Sequence, residues 1–364
     1  MSTRLTERMR HSEYPRIAGS YLVLELSNVC NLTCVHCAVS ESNHPHHTTM
    51  GHLDVSVVDA LIEDMVKHNI QFDVLILFWL GEPLLHPRFS TIYRRLVRAI
   101  WKHGIFTSIE VHTNSILLDA VKRRVLLNRL PVPQKIHCTI DAFSPDTYQS
   151  IKGRNALHEV NLNVEALLRE KSGLESTSLQ VVLQYIVGSN NVAEVPDFHR
   201  YWTTLADSLG QPFVVSAGQI PDGQRDGIFF RQLDCPTEEE QHHEGRVFVT
   251  AMQQLGVPFP QHSPVLESSN GLQPCSGFWK SPTIDWQGNL TMCTRDNTLQ
   301  NGLGNIAKTP FSTLWWGEQQ RHNREQVARS NYDSLSLCQT CFVPNSCNHS
   351  TITSEEIQQY QVSS

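Results

Sequence analysis

Three cysteines, Cys30, Cys34 and Cys37, lie within eight residues in the stretch ELSNVCNLTCVHCAVS, residues 25–40. Thiolates at this spacing on a loop can ligate three irons of a [4Fe–4S] cluster, as tight cysteine runs do in ferredoxins. Because no fourth cysteine is near, one iron would stay open to a small molecule. Zinc is the alternative, since it also binds thiolates and His36 could complete a tetrahedral set. His36 lies between Cys34 and Cys37, an awkward place from which to share their metal, so iron is favoured.

A second group of cysteines follows residue 270, and its members are Cys275, Cys293, Cys338, Cys341 and Cys347. The first two flank TIDWQGNLTM, which predicts a short hairpin with Gly288-Asn289 at its turn. The third and fourth form a C-x2-C pair. A hairpin that carries two thiols, together with a distant pair, predicts a closed four-sulfur site. On spacing alone this site could be a structural zinc ribbon.

The elements that position these residues alternate between strands and helices. Apolar, β-branched segments predict strands at 21–26, 72–80, 106–113, 135–141, 179–187 and 213–216. Helical periodicity lies between them, at about 54–69, 88–103, 116–129, 157–171 and 192–209. Asp54 is the expected N-cap of the first helix. This alternation predicts a parallel sheet curved into a partial or full barrel, with the first cysteine group at the C-terminal ends of its strands.

The alternation stops near residue 218, where turn-rich sequence is followed by a predicted helix at 237–255 and then by the cysteine-rich region. We therefore expect five parts, and their residue ranges are as follows: an N-terminal extension (1–19), a barrel (20–217), a connecting segment with a helix (218–260), a cysteine-rich domain (261–350) and a tail (351–364).

Composition sets the protein class. The chain has 364 residues, 40% hydrophobic and 18% charged, which fits one large α/β domain with a smaller one appended. A formal net charge of −7 argues against a nucleic-acid-binding protein. No secretory signal and no run of about 18 apolar residues is visible, so we expect no membrane span. Ten cysteines without an export signal then indicate metal or redox chemistry in the cytoplasm rather than disulfides.

Several segments together resemble the radical S-adenosylmethionine (SAM) enzymes. CNLTCVHC matches their C-x3-C-x2-C signature, and LGEPLLHP (80–87) resembles their Gly-Glu-Pro motif. VHTNS (111–115) is similar to a Thr-Asn-Gly segment, with Ser115 in place of the usual glycine. TIDAFSPDTYQSIKG (139–153) and LQYIVGSNN (183–191) resemble the segments of strands four and five. The resemblance covers roughly residues 20–350 and implies an α/β fold, a partial (β/α)6 TIM-like barrel.

The resemblance also implies cofactors and their ligands. SAM would fill the open iron position through its amino and carboxylate groups, and one electron from the cluster would cleave it to a 5′-deoxyadenosyl radical. The residues implied in SAM binding are Gly81, Glu82, Pro83, Asn114, Thr139 and His36, with Glu82 on the amino group. Asn114 and Thr139 could instead only cap the following helices, and His36 could only line its loop.

The C-terminal region resembles SPASM domains and their shorter twitch form, which hold auxiliary [4Fe–4S] clusters. A full SPASM domain usually offers seven cysteines for two clusters, whereas this chain has five, and Thr351 stands where the next cysteine would fall. Four of them suffice for one closed cluster, so we expect one auxiliary cluster. Cys347 is then spare, or joins Cys338 and Cys341 in an incomplete second site.

Two cysteines lie outside these groups. Cys138 follows the alternation of the fourth strand, which turns it outward into packing if Thr139 and Asp141 point into the barrel. Cys235 lies between the barrel and the extension, in FRQLDCPTEEE, near where a substrate would enter. A thiol at that place could return a hydrogen atom to a substrate radical, or it could be an incidental loop thiol.

Three functions are compatible with these features. The first is an enzyme that oxidises or epimerises a small polar molecule, a sugar or aminocyclitol of secondary metabolism. It is favoured because the extension most resembles single-auxiliary-cluster dehydrogenases and the first strand begins near residue 20, leaving no room for an N-terminal peptide-binding module. The second is a maturase of a ribosomally made precursor peptide or protein. The third is a zinc-stabilised binding protein without activity. Reduced flavodoxin or ferredoxin is the expected electron donor.

Overall fold

One continuous sheet organises the residues that the computed structural model describes, which are 14, 16–39, 48–220, 225–235, 237–259, 273–339, 341 and 351–362. Its strand order is β10-β9-β8-β1-β2-β3-β4-β5-β7-β6. The strands are β1 (Tyr21–Leu24), β2 (Phe72–Leu77), β3 (Phe106–Thr113), β4 (Gln134–Thr139), β5 (Leu179–Val187), β6 (Val214–Ala217), β7 (Gly227–Gln232), β8 (Thr283–Ile284), β9 (Asn289–Thr291) and β10 (Gly304–Asn305).

Helices connect and cover these strands. They are α1 (Val55–Lys67), α2 (Phe89–His103), α3 (Ala120–Leu126), α4 (Pro145–Lys152), α5 (Leu157–Ser172), α6 (Val195–Ser208), α7 (Glu238–Leu255), α8 (Gly277–Lys280), α9 (Phe311–Trp315), α10 (Glu318–Ala328), α11 (Ser336–Gln339) and α12 (Ser354–Val362). Short 3-10 turns lie at Pro83–Leu85 and Val192–Glu194. Asp54 caps α1 as predicted, because its Oδ1 accepts a hydrogen bond of 2.7 Å from the Ser56 N–H.

Strands β1 to β7 are all parallel to their neighbours, which confirms the predicted α/β barrel-type fold. All six predicted strands are present. One further strand, β7, was not predicted, and it lies between β5 and β6. The sheet therefore continues beyond residue 217, where we expected the barrel to end.

Side-chain alternation gives the sheet two different faces. Ile109, Val111 and Cys138 are fully buried in the apolar core that the strands form with the surrounding helices. Cys138 thus points outward into packing, as its place in the alternation predicted. The intervening residues of β3 and β4 point to the inner face of the barrel, because successive side chains of a strand alternate between faces.

The C-terminal region joins the same sheet. Strand β8 pairs in parallel with β1, and β8 and β9 form the predicted hairpin. Gly288 has a φ of 86°, a left-handed conformation that glycine adopts readily, and the Asp285 Oδ1 accepts from the N–H groups of Gln287 and Asn289 across the turn. In the described part of the chain, no helix combines the length and apolar character needed to cross a membrane.

Candidate functional site

The first cysteine group lies on the loop that follows β1, and helix α4 holds this loop in place. The N–H groups of Thr33 and Val35 donate to the carbonyls of Lys152 and Ile151 at 3.1 and 2.9 Å. Gly153 ends α4 with a φ of 73°, and a Cβ there would lie 2.0 Å from the Thr33 Oγ1. Only glycine allows this approach, so the turn after α4 fixes the position of the loop.

The three thiols of this loop lie close enough to influence one another. The Cys30 side chain reaches the protein surface, yet its surroundings exclude enough water to raise its pKa to about 12. Glu82, Cys34 and Cys37 add to this shift by charge repulsion. Three thiolates could not coexist here without a cationic partner, so the site suits a metal cluster that displaces the thiol protons.

Glu82 lies at the centre of the strand ends and is 3% exposed. Its Oε1 accepts from the Thr113 hydroxyl at 2.7 Å and the Leu84 N–H at 2.9 Å, and its Oε2 accepts from the Asn114 N–H at 2.8 Å. Burial raises its pKa, since these hydrogen bonds offset only part of the desolvation. A buried carboxylate with acceptor capacity left on Oε2 suits an ammonium group, which is what the amino end of SAM offers.

The neighbours of Glu82 are constrained by the same geometry. A Cβ at Gly81 would meet the Ser27 carbonyl oxygen at 2.2 Å, so the motif lies directly against the cysteine loop. Pro83 is buried in the first position of the 3-10 turn that Glu82 caps. Ser115 has a φ of 64°, which explains the glycine of the related motif.

The weaker SAM candidates make local hydrogen bonds. The Asn114 Oδ1 accepts from the Ile116 N–H at 3.1 Å, and its Nδ2 donates to the Asn31 Oδ1 at 2.8 Å. The Thr139 hydroxyl donates to the Thr113 carbonyl at 3.2 Å. Both therefore brace the strand ends, and their contact with SAM stays a prediction.

His36 faces a buried ion pair rather than the cysteines. Its Nε2 lies 3.9 Å from the Asp141 Oδ2, and Asp141 pairs with Lys152. Among the described residues, His36 and the cysteines form no group of three ligand atoms within 4.8 Å of one another. Sharing one zinc ion among them is therefore not supported.

Four thiols converge in the C-terminal site, those of Cys275, Cys293, Cys338 and Cys341. Each of the six pairs interacts electrostatically, and burial raises the pKa of Cys275 and Cys338 to about 12. Tetrahedral zinc, with Zn–S bonds of about 2.3 Å, would hold the sulfurs about 3.8 Å apart. No three of these described thiols lie within 4.8 Å of one another, so their spacing suits a larger cluster. Their role as ligands stays a prediction.

Thr351 lies beside this site. It forms an antiparallel bridge with Cys275, and the Ile352 N–H donates to the Pro274 carbonyl at 3.1 Å. A hydroxyl therefore stands where the related pattern places a thiol. Cys347 lies outside the described residues.

Cys235 is half-buried on the loop after β7, at the same end of the barrel as the cysteine loop. Its N–H donates to the Gln241 Oε1 at 2.9 Å. Partial burial raises its pKa, and the negative charges of Glu244 and Glu240 raise it further. The side chain is held as a thiol, the form that a hydrogen-atom donor requires, and this role stays a prediction.

Sequence reasoning missed two groups of residues near the site. Glu25 is 1% exposed and accepts from the N–H groups of Leu80 at 2.9 Å and Trp286 at 3.2 Å, so it ties β1 to the C-terminal hairpin. The second group is Glu110, His112, Lys135 and His137, on the inner face of β3 and β4. The signal for it was present as polar residues at every second position of IEVHT and KIHCT.

Comparisons with known proteins agree with this geometry. Residues 24–197 match the model of the radical SAM superfamily, and residues 275–342 match that of SPASM, an iron-sulfur cluster-binding domain. The chain is 24% identical over 190 residues to a tungsten-containing aldehyde ferredoxin oxidoreductase cofactor-modifying protein of Pyrococcus furiosus. That match covers 51% of this chain and 48% of the relative, so the chain spans about half of the relative's length.

Solved structures share the fold. The crystal structure of anSMEcpe with bound AdoMet has a TM-score of 0.57 at 15% identity, covering 96% of this chain and 97% of that one. Streptococcus suis SuiB bound to S-adenosylmethionine has a TM-score of 0.55 at 11% identity, covering 94% and 74%. The chain therefore belongs to the radical SAM superfamily and carries a C-terminal SPASM domain, and its cofactors are [4Fe–4S] clusters and SAM.

Proposed function

We propose that this protein is a radical SAM oxidoreductase that takes a hydrogen atom from a small polar substrate and oxidises a carbinol to a carbonyl. When bound, the cluster and SAM together supply the 5′-deoxyadenosyl radical. Cys30, Cys34 and Cys37 would hold the cluster. Glu82 would hold the ammonium group of SAM, and the strand ends that it links would keep the reacting centres in position.

The observation that carries the oxidative outcome is the attachment of the auxiliary site to the barrel mouth. The Trp79 Nε1 donates to the carbonyl of Thr294, next to Cys293, at 2.8 Å. Trp79 itself lies two residues before Gly81. A cluster held by the C-terminal thiols would thus be joined to the SAM motif by a short covalent and hydrogen-bonded connection. Such a cluster is a suitable acceptor for the electron that a substrate radical must lose to become a carbonyl.

The barrel interior supports a polar substrate. Glu110, His112, Lys135 and His137 place charged and hydrogen-bonding groups on its inner face. Side chains of this kind orient hydroxyl or amino groups, and a purely apolar substrate would leave them unpaired. A sugar or aminocyclitol has the matching chemistry.

Modification of a peptide or protein is the second candidate. It is supported by the anSMEcpe structure that contains a bound Cp18Cys peptide, which has a TM-score of 0.55 to this chain. Epimerisation is a third outcome, and it would use the Cys235 thiol to return a hydrogen atom.

One fractionation experiment separates these candidates. The reconstituted protein, SAM and a strong reductant are incubated with the small-molecule and peptide fractions of the source organism, and 5′-deoxyadenosine is measured. We expect the small-molecule fraction to stimulate its formation and to yield a product two mass units lighter. Stimulation by the peptide fraction alone would favour the maturase. A product of unchanged mass that Cys235→Ala no longer forms would indicate epimerisation.

A further inference from the structure

The inner face of β3 and β4 carries a cluster of side chains that the SAM site does not use. Glu110 and His112 are two residues apart on β3 and share a face, and His137 is the direct neighbour of His112 on β4. Because His112 and His137 come two residues before Asn114 and Thr139, they lie about 7 Å deeper in the barrel than the strand ends.

The spacing of this cluster is that of metal ligands. The Glu110 Oε2 lies 3.5 Å from the Nε2 of His112 and 3.5 Å from the Nε2 of His137. All three atoms lie within 4.8 Å of one another, a property that no other group of described residues shares. The contacts are long for hydrogen bonds. They are close to the roughly 3.3 Å between two ligands of a tetrahedral ion with bonds of about 2.0–2.1 Å.

His137 is a fully buried side chain that calls for a partner. It is 0% exposed, and neither ring nitrogen makes a hydrogen bond of normal geometry within the described structure. Buried polar groups without partners are rare, and an unmodelled ion is one recognised reason for them. Burial also lowers the pKa of His137 to about 4, so its ring is neutral near pH 7, as a metal ligand must be.

We propose that Glu110, His112 and His137 bind one divalent transition-metal ion of the zinc or ferrous class inside the barrel. Three protein ligands leave a position open toward the interior, as in catalytic zinc sites. Two histidines and a carboxylate also suit ferrous iron. An exchangeable ligand at the open position would be a hydroxyl, carbonyl or carboxylate oxygen. The site does not depend on which substrate class the enzyme uses.

Two neighbours shape this site. The Lys135 Nζ lies 3.0 Å from the Glu110 Oε1, so it fixes one carboxylate oxygen and leaves Oε2 for the ion. Its positive charge also opposes a cation, although its side chain is 21% exposed and can turn toward solvent. The His112 ring stacks between Phe78 and His137, at centroid distances of 4.6 and 4.1 Å. Binding therefore requires a ring to turn about χ2, which is a soft torsion.

The test uses the full chain with its clusters reconstituted under anaerobic conditions, so that the cysteines are already occupied. Zinc chloride is added, unbound metal is removed by gel filtration, and zinc and iron are counted by mass spectrometry. We expect His137→Gln and His112→Gln each to hold about one zinc per chain less than the wild type, with unchanged iron. His158→Gln, which alters an exposed histidine on α5, is the matched control and should keep the wild-type zinc.

Equal zinc in the wild type and both histidine variants would overturn the proposal and leave the cluster as a hydrogen-bonded lining of the barrel. Lys135→Met gives a second test that keeps all three ligands. Removing the nearby positive charge should tighten zinc binding several-fold, measured by competition with a chromophoric chelator. Unchanged or weaker binding in that variant would also contradict the proposal, even if the histidine variants failed to fold.

Discussion

At the scale of single residues, Glu82 connects the parts that must meet for SAM to bind. Its carboxylate bonds to the ends of β3, and its own N–H donates to the Val29 carbonyl in the cysteine loop at 2.9 Å. Three protein donors keep it in place but bring no positive charge. The ammonium of SAM would be the counter-charge that the protein leaves out.

Glu82→Gln should therefore weaken SAM binding without removing the cluster. A hydrogen bond to a charged group contributes about 1.5–3 kcal/mol, which corresponds to a loss of affinity of roughly 10- to 100-fold. Equilibrium binding of SAM to the reconstituted protein measures this. Glu63→Gln, which alters an exposed glutamate on α1, is the control. Equal SAM affinity in Glu82→Gln and the wild type would rule out the assigned contact.

The pH dependence of SAM binding follows from the same residue. Burial raises the pKa of Glu82, so on acidification the carboxylate takes up its proton at a pH above the usual value for glutamate. The charged contact is present at higher pH and is lost as pH falls through the raised pKa. SAM affinity should fall over that range in the wild type, and the pH profile of Glu82→Gln should be flatter.

Ser115 carries a backbone cost that a glycine would avoid. Its φ of 64° is unfavourable for a residue with a Cβ by about 1–2 kcal/mol, whereas glycine loses about 0.5–1 kcal/mol of chain entropy. Ser115→Gly should raise the melting temperature by about 1–2 °C. Ser150→Gly, within helix α4, should lower it, because glycine is a poor helix former. A lower melting temperature for Ser115→Gly would contradict the strain argument.

At the scale of elements, helix α4 and its terminal glycine position the cysteine loop. Gly153→Ala would place a Cβ 2.0 Å from the Thr33 Oγ1 in a left-handed conformation, so the loop would have to move. We expect the iron content to fall by about four per chain, one [4Fe–4S] cluster, with loss of SAM cleavage. Gly173→Ala, at the end of α5, meets no atom closer than 3.7 Å and is the control. Full iron content in Gly153→Ala would show that the loop does not depend on this contact.

Sequence patterns predicted the repeated elements better than the irregular ones. Strong apolar segments such as LQVVLQYIV were assigned correctly, since burial on both faces gives a parallel strand a continuous apolar run. Strand β7 was missed because it follows a stretch rich in Gly, Asp and Gln that reads as a turn. Helix α4 was missed because Ser144 and Pro145 also favour turns, although here Ser144 caps the helix.

The candidate site was predicted only where a motif marked it. The cysteines and Glu82 have diagnostic spacing along the chain. Glu110 and His137 are brought together by the register of β3 against β4, and no local pattern records that register. Glu25 is likewise explained only by a hairpin more than 250 residues later.

At the scale of the whole molecule, the barrel and the SPASM region share one sheet. The pairing of β8 with β1 fixes the auxiliary site beside the strand that leads into the cysteine loop. Trp79 and Glu25 add hydrogen bonds across the same junction. The two sites are therefore parts of one continuous structure, and the spacing between their clusters should be fixed.

The number of clusters follows from the thiols. Four closed thiolates and three open ones predict about eight irons per anaerobically reconstituted chain, in two [4Fe–4S] clusters. Cys347→Ala should leave this number unchanged. About twelve irons, with Cys347 required for the excess, would favour two auxiliary clusters, and zinc in the C-terminal site would contradict both assignments.

The most direct test of the radical SAM assignment to this site is the formation of 5′-deoxyadenosine by a variant in which Cys30, Cys34 and Cys37 are all alanine. With a strong reductant and SAM, the wild type should form 5′-deoxyadenosine. The triple variant should form none, while it keeps about four irons in the C-terminal site. Formation of 5′-deoxyadenosine by the triple variant at the wild-type rate would show that the radical is generated elsewhere.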